Sequence, residues 1–218
     1  MKIAVLGTGM VGEAIGSKLI ELGHSVRMGS RTATNEKALA FVAKHPGGKA
    51  SAGTFAGAAA FGEVIFNCTK GTESMNILRS AGIENLDGKV LVDVANPLDF
   101  SNGMPPSLSV CNTDSLGEQI QREFPGVKVV KSLNTMWCGL MVNPGMLNGG
   151  DHHVFMSGND AGAKAVVSGL LQSFGWRSEN IIDLGDITTA RGTEMMLPVW
   201  LSLFMAKNHG AFNIRIVG

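Results

Sequence analysis

The sequence predicts an α/β fold, a doubly wound and mostly parallel sheet followed by a short C-terminal helical segment. Three observations carry that prediction. The chain opens on an apolar run, Ile3-Ala4-Val5-Leu6, that leads into Gly7, Gly9 and Gly12 at G-x-G-x-x-G spacing. Short apolar runs then alternate along the chain with stretches of helical period. Finally, 218 residues with 44% hydrophobic content suffice for one well-buried domain of this class.

The first element reads as strand, tight turn and helix, with Val11, Ile15, Leu19 and Leu22 on one helical face. In a chain with 29 glycines the bare pattern is weak, so its position between a strand and an amphipathic helix carries the weight. In a Rossmann-type unit Gly7 permits the turn, Gly9 lets the backbone approach a pyrophosphate, and Gly12 lets helix and strand pack closely. The helix N-terminus offers N–H groups and a positive dipole end to the anion. A second strand, Ser25 to Met28, follows the stop at Gly23. It ends in Gly29, Ser30, Arg31 and Thr32, without the acid that would bind a ribose 2′-OH. Arg31 can form charge-assisted bonds to a 2′-phosphate and Ser30 can add a hydroxyl and a backbone N–H, so NADP is preferred over NAD.

Asn35 to Lys44 reads as a helix, stopped at His45-Pro46-Gly47-Gly48, with Lys37 within reach of a 2′-phosphate. A strand at Lys49 to Ala52 and a helix from Phe55 to Phe61 precede the buried strand Glu63 to Thr69. That strand delivers Thr69 and Lys70 to the ligand-binding rim of the sheet, as candidate cofactor contacts. After a helix at Glu73 to Ala81, the strand Lys89 to Val94 delivers Asn96 and Pro97 to the same rim. Asp99 to Asn112 is long for a connection and reads as a binding loop or a subunit contact. Ser115 and Glu118 form a capping box for a helix to Phe124.

The strand Val127 to Leu133 presents Asn134, Thr135, Met136, Trp137 and Cys138 at the rim; a buried Asn134 amide must find partners, whereas Met136 also suits a core. His152 and His153 open a strand to Ser157 and, lacking ligand spacing, read as hydrogen-bonded or solvated rather than metal-binding. Asp160 caps a helix whose apolar face runs from Val166 to Phe174, and Ile181 to Leu184 is the last strand. Thr188 to Lys207 reads as one long helix containing Pro198. It is apolar on all sides and is expected to pack against a partner subunit in a homodimer. The expected division is residues 1–186 for the nucleotide-binding domain and 187–218 for the helical segment.

Eighteen basic and eighteen acidic residues without a basic run give no electrostatic support to a nucleic-acid or anionic-membrane partner, and leave a small molecule. Three cysteines without C-x-x-C spacing fit free thiols in a reducing cytoplasm and supply no zinc site. Met1 runs into a core strand, so no signal peptide is expected, and no stretch is apolar enough for a bilayer span. Because the chain has no tyrosine, the Tyr-x-x-x-Lys proton relay is excluded.

Taken together, GTGMVG, GSR, SLNTM at Ser132 to Met136, SGND at Ser157 to Asp160 and LGDITTARGTEMMLP at Leu184 to Pro198 resemble the NADP oxidoreductases that use the deazaflavin coenzyme F420. More distantly, they resemble the nucleotide-binding domain of the transmembrane metalloreductases. The resemblance implies Thr8, Gly9, Met10 and Val11 as the pyrophosphate cradle and Ser30 with Arg31 as a 2′-phosphate clamp. It implies Thr69, Asn96 and Pro97 beside the adenosine and nicotinamide portions, and Asn134 to Cys138 near the nicotinamide ring. The chain departs from that family in the distance of Lys37 from Arg31, in the length of the loop from Asp99 to Asn112, and in Asn134, where a histidine is usual. The implied chemistry is hydride transfer between NADP(H) and a planar acceptor, F420 or a flavin, which needs alignment more than acid–base catalysis. Two alternatives stay open: reduction of a small carbonyl or imine, with His209, Lys70 or Lys131 as nominal proton donor, and a non-enzymatic NADPH sensor.

Overall fold

Side chains on successive strand positions point to opposite faces, and in the computed structural model, which describes residues 1–218, this alternation builds two cores, one on each side of a single sheet. The first half of the chain gives β1 (Lys2–Leu6), α1 (Met10–Glu21), β2 (Ser25–Ser30), α2 (Glu36–Lys44), β3 (Ala50–Thr54), α3 (Phe55–Phe61), β4 (Val64–Asn67), α4 (Gly71–Ala81), α5 (Ile83–Leu86) and β5 (Val90–Asp93). A two-stranded hairpin, β6 (Leu98–Asp99) with β7 (Ser107–Leu108), occupies the long connection. Then come α6 (Leu116–Glu123), β8 (Lys128–Ser132), α7 (Cys138–Val142), β9 (Val154–Gly158), α8 (Ala161–Ser173) and β10 (Ile181–Asp183). The chain continues into α9 (Ala190–Met195) and α10 (Leu197–Lys207).

The main sheet has eight strands in the order β10-β9-β8-β5-β4-β1-β2-β3. Ile3 and Val5 face Ile15 and Leu19 of α1, in the core that also takes Val167 and Leu170 of α8. Ala4 and Leu6 face the other way, into the core of Ala58 (α3), Leu78 (α4) and Ile120 (α6). Burying each such leucine or isoleucine stabilises the fold by roughly 1.5–3 kcal/mol. From β3 to β8 every pairing is parallel, so the carboxyl ends of β1, β2, β4, β5 and β8 share one rim.

The structure departs from the sequence reading in two places. The strand expected from His152 begins at Val154, and it runs antiparallel to β8. The two histidines are held elsewhere: the His152 ring lies 2.9 Å from the Pro144 carbonyl, and the His153 amide donates to Ile214 O at 2.9 Å. The long terminal helix is a 3₁₀ turn (Ile187–Thr189), α9 and α10, with the break at Met196. Pro198 falls in the first turn of α10, where its missing N–H costs no hydrogen bond. No helix is long and apolar enough to cross a membrane.

Candidate dinucleotide site

The three glycines after β1 have different reasons to lack a side chain. Gly7 has φ +115°, and a Cβ there would lie 2.5 Å from the Cys68 carbonyl oxygen. At Gly12 a Cβ would lie 2.1 Å from the Gly7 carbonyl oxygen, so α1 and the turn touch through backbone. Gly9 is different: its φ is −81° and nothing lies within 4 Å of a Cβ built on it. Neither packing nor backbone conformation demands glycine at this position.

The helix ends that border the rim differ in how they are capped. Side chains cap α2 (Asn35), α3 (Thr54), α6 (Ser115) and α8 (Asp160). No side chain caps α1 or α4, whose first turns begin at Gly9 and Lys70 beside the glycine turn. Their amide N–H groups remain available to an anion.

A trough of three adjoining cavities runs along this rim. One, of about 300 Å³, lies between Arg31, Thr54, Phe55 and the α4 residues Glu73 and Ile77. The next, of about 340 Å³, shares those α4 residues and adds Gly7, Thr8, Gly9, Ser30, Thr69 and Lys70. The third, of about 190 Å³, continues from Thr69 and Lys70 to Val11, Asn96 and Phe100. Arg31 is exposed and borders both of the first two. Ser30 is buried and its hydroxyl donates to the Thr32 carbonyl at 2.6 Å, so as placed it does not donate into the trough. Lys37, on the first turn of α2, lines none of the three cavities.

Beneath the rim a buried polar network ties the strand ends together. Thr69 Oγ1 donates to Asn67 Oδ1 (2.6 Å), Asn67 Nδ2 donates to Asp93 Oδ1 (2.8 Å), and Lys131 Nζ pairs with Asp93 Oδ2 (2.8 Å) and Glu194 Oε1 (2.7 Å). Glu194, from α9, also accepts from the Leu116 and Gly117 amides at the start of α6. Burial works against the Lys131 ammonium, but Asp93 and Glu194 outweigh it and hold its pKa above the ordinary lysine value. Lys131 is therefore a structural cation. Burial first, then the Asp93 charge, pushes the Cys68 thiol well up, so it stays protonated.

Asn96 and Asn134 hold each other. Asn96 Nδ2 donates to Asn134 O (2.8 Å), and Asn134 Nδ2 donates to Asn96 Oδ1 (2.9 Å) and to Thr193 O (3.2 Å). Pro97, next in the chain, is buried. Met10 is 78% exposed on the first turn of α1, whereas Met136 is 5% exposed and belongs to the core. Trp137 lies half-exposed against Gly210, Cys138 is half-buried, and Thr135 faces a separate cavity under α10. Sequence reasoning missed Phe55, Glu73 and Phe100 as walls, and Glu194 as the partner of Lys131. Only the polar Asn67 and Asp93 ending apolar strands, and a lysine inside β8, signalled such a network.

The profile of the family described as NADP oxidoreductase, coenzyme F420-dependent, matches residues 2–97. A solved structure from Arthrobacter sp. FB24, provisionally assigned as an F420-dependent NADP-reductase, is 54% identical, covers 100% of both chains and superposes with a TM-score of 0.95. The chain belongs to the coenzyme F420-dependent NADP oxidoreductase family. As a family member it is an NADP-dependent oxidoreductase. The rat metalloreductase STEAP3 is 27% identical over 214 residues, covering 91% of this family member but only 38% of the rat protein. A reductive aminase from Aspergillus terreus, solved with NADPH and ethyl levulinate, shares 18% identity and the fold at a TM-score of 0.67, over 94% of this chain and 62% of the other.

Proposed function

We propose that the trough binds NADP(H) and that hydride passes between its nicotinamide and a planar acceptor, F420 or a flavin. The observation that carries the reading is the open backbone at Gly9 in the middle of a continuous trough bordered by Arg31. The amides of Thr8 to Val11 hold the pyrophosphate and Arg31 receives the 2′-phosphate, with Ser30 beside it; Lys37 stands outside this clamp. Thr69 and Lys70 flank the middle of the cofactor. The Asn96–Asn134 pair and Pro97 form the nicotinamide end, with Trp137 and Cys138 beyond it.

When bound, NADPH supplies the hydride. The chain aligns and shields: the uncapped ends of α1 and α4 offset phosphate charge, and Val11, Leu98 and Phe100 form an apolar wall that excludes water. The double pairing of Lys131 removes one nominal proton donor of a carbonyl or imine reductase, and transfer between flat rings needs none. The same proposal includes the division at 186/187, a cytoplasmic location, and a homodimer through the exposed apolar side chains Val199, Leu203, Phe204 and Met205 of α10.

The test follows NADPH absorbance with F420, flavins and small carbonyls and imines in turn. Consumption with the flat heterocycles is expected. Consumption only with carbonyls or imines would replace the acceptor class, and none with any compound would leave the sensor reading.

A further inference from the structure

Three charged side chains of the network under the rim, Asp93, Lys131 and Glu194, are each 1% exposed or less and take no part in the hydride transfer itself. The three N–H groups of Lys131 are all engaged, by Asp93 Oδ2, Glu194 Oε1 and the Ala95 carbonyl oxygen. Asp93 Oδ1 accepts from Asn67 Nδ2 and from the Ala95 amide (3.3 Å). Glu194 Oε2 accepts from the Leu116 amide (2.8 Å), and its Oε1 from the Gly117 amide (3.1 Å) as well as from Lys131. Every carboxylate oxygen accepts and none donates, so the cluster carries two negative charges against one positive.

One pair alone would be neutral, and a further buried charge is costly to desolvate. The neighbouring charges do not cancel it. Glu118 is paired with Arg191 and Asp114 with Arg122, each pair neutral in itself. The first turn of α6, which donates the two amides to Glu194, supplies only about half a positive charge. A net negative charge remains, and it adjoins the trough at two points. Ala95, held by the cluster at both its N–H and its carbonyl, lines the third cavity with Asn96. Thr69, joined to Asp93 through Asn67, lines the second and third. None of the three charged side chains lines either cavity, so the cluster acts on an occupant through its field. In a water-poor interior, unit charges about 10 Å apart alter an equilibrium roughly ten-fold.

We propose that the Asp93–Lys131–Glu194 cluster makes the nicotinamide end of the trough favour the oxidised cofactor. This preference presupposes the NADP reading of the trough. The nicotinamide ring is neutral in NADPH and carries one positive charge in NADP⁺, once a hydride has left with its electron pair for the acceptor. A fixed negative charge near the ring stabilises only the second form.

Calorimetry with NADP⁺ and NADPH in turn, on the full chain and three variants, tests it. Glu194→Gln and Asp93→Asn each remove one negative charge, and each should raise the ratio of the NADP⁺ to the NADPH dissociation constant about five-fold or more. A merely structural loss would weaken both forms alike and leave the ratio in place. Asp114→Asn removes a charge from a pair largely at the surface, where salt and water screen it, and should leave the ratio within about two-fold. In the parent protein NADP⁺ should bind at least as tightly as NADPH, a result that decides the matter even where a variant does not fold. Folded variants with the parental ratio, an equal shift in Asp114→Asn, or a parent that prefers NADPH about ten-fold would each overturn the proposal and leave the NADP reading standing. Binding of neither form by the parent would instead remove the NADP reading, and this preference with it.

Discussion

Gly9 and Gly12 sit three positions apart and respond in opposite ways to a side chain. At Gly12 a methyl would overlap the Gly7 carbonyl, so Gly12→Ala should open the turn and lower the melting temperature. Gly9 has ordinary φ and open space, so Gly9→Val should melt with the parent protein yet bind NADP at least ten-fold more weakly, by calorimetry. A Gly9→Val protein of parental affinity would show that nothing approaches the backbone there. Arg31 makes a separate claim, on the adenosine end. Arg31→Asp removes a charge-assisted contact of about 1.5–3 kcal/mol and adds repulsion, so NADP binding should fall ten-fold or more while NAD binding holds. Comparable NADP affinity in that variant would remove the clamp.

Among the elements, those specified by short-range pattern were legible in the sequence. The glycine turn, the Ser115–Glu118 capping box and the helix from Phe55 to Phe61 depend on residues within a few positions of each other, and they stand where the spacing puts them. The direction of β9 was not legible, because an interior strand is apolar whichever way it runs. Nor was the break at Met196: Pro198 reads alike inside a helix and in its first turn until the helix start is known. Glu194 gave no local signal, since its partners on β8 and α6 are distant in sequence. The network it completes is nonetheless what joins α9 to the strand ends. Lys131→Met should destabilise the protein by about 3–5 kcal/mol in urea, because Asp93 and Glu194 would remain buried without their shared cation. Glu194→Gln, which leaves Lys131 paired with Asp93, should cost less.

At the scale of the whole molecule, stability should decline in acid, and one group has a defined window. Hydrogen bonds from Arg122 are the main reason the Asp114 carboxyl titrates at about 2 rather than its ordinary 3.8. A pKa lowered by folding contributes stability that is complete above the unfolded value and is lost as pH falls through the folded one. The urea midpoint should therefore drop between pH 4 and pH 2, and Asp114→Asn should flatten part of that limb. The pair is largely at the surface, so the effect should be about 1 kcal/mol or less. An unchanged acid limb in Asp114→Asn would remove the pair from the account. The α/β class and cofactor type were open to sequence reading because they depend on repeated local units. The trough's walls were not, because they come from α3, α4 and the hairpin at once.

The reversal at β9 has a consequence for the order in which the protein is completed. Although β9 and β10 run back toward the amino edge, the last residue of β10, Asp183, pairs with Met156, which lies opposite Ser132 at the carboxyl end of β8. Thr189 already donates to Ser157, the partner of Lys131 across β9, and α9 then brings Thr193 to Asn134 and Glu194 to Lys131. A nascent polypeptide thus has every strand available for pairing before the Asn96–Asn134 end of the trough receives the last of its support.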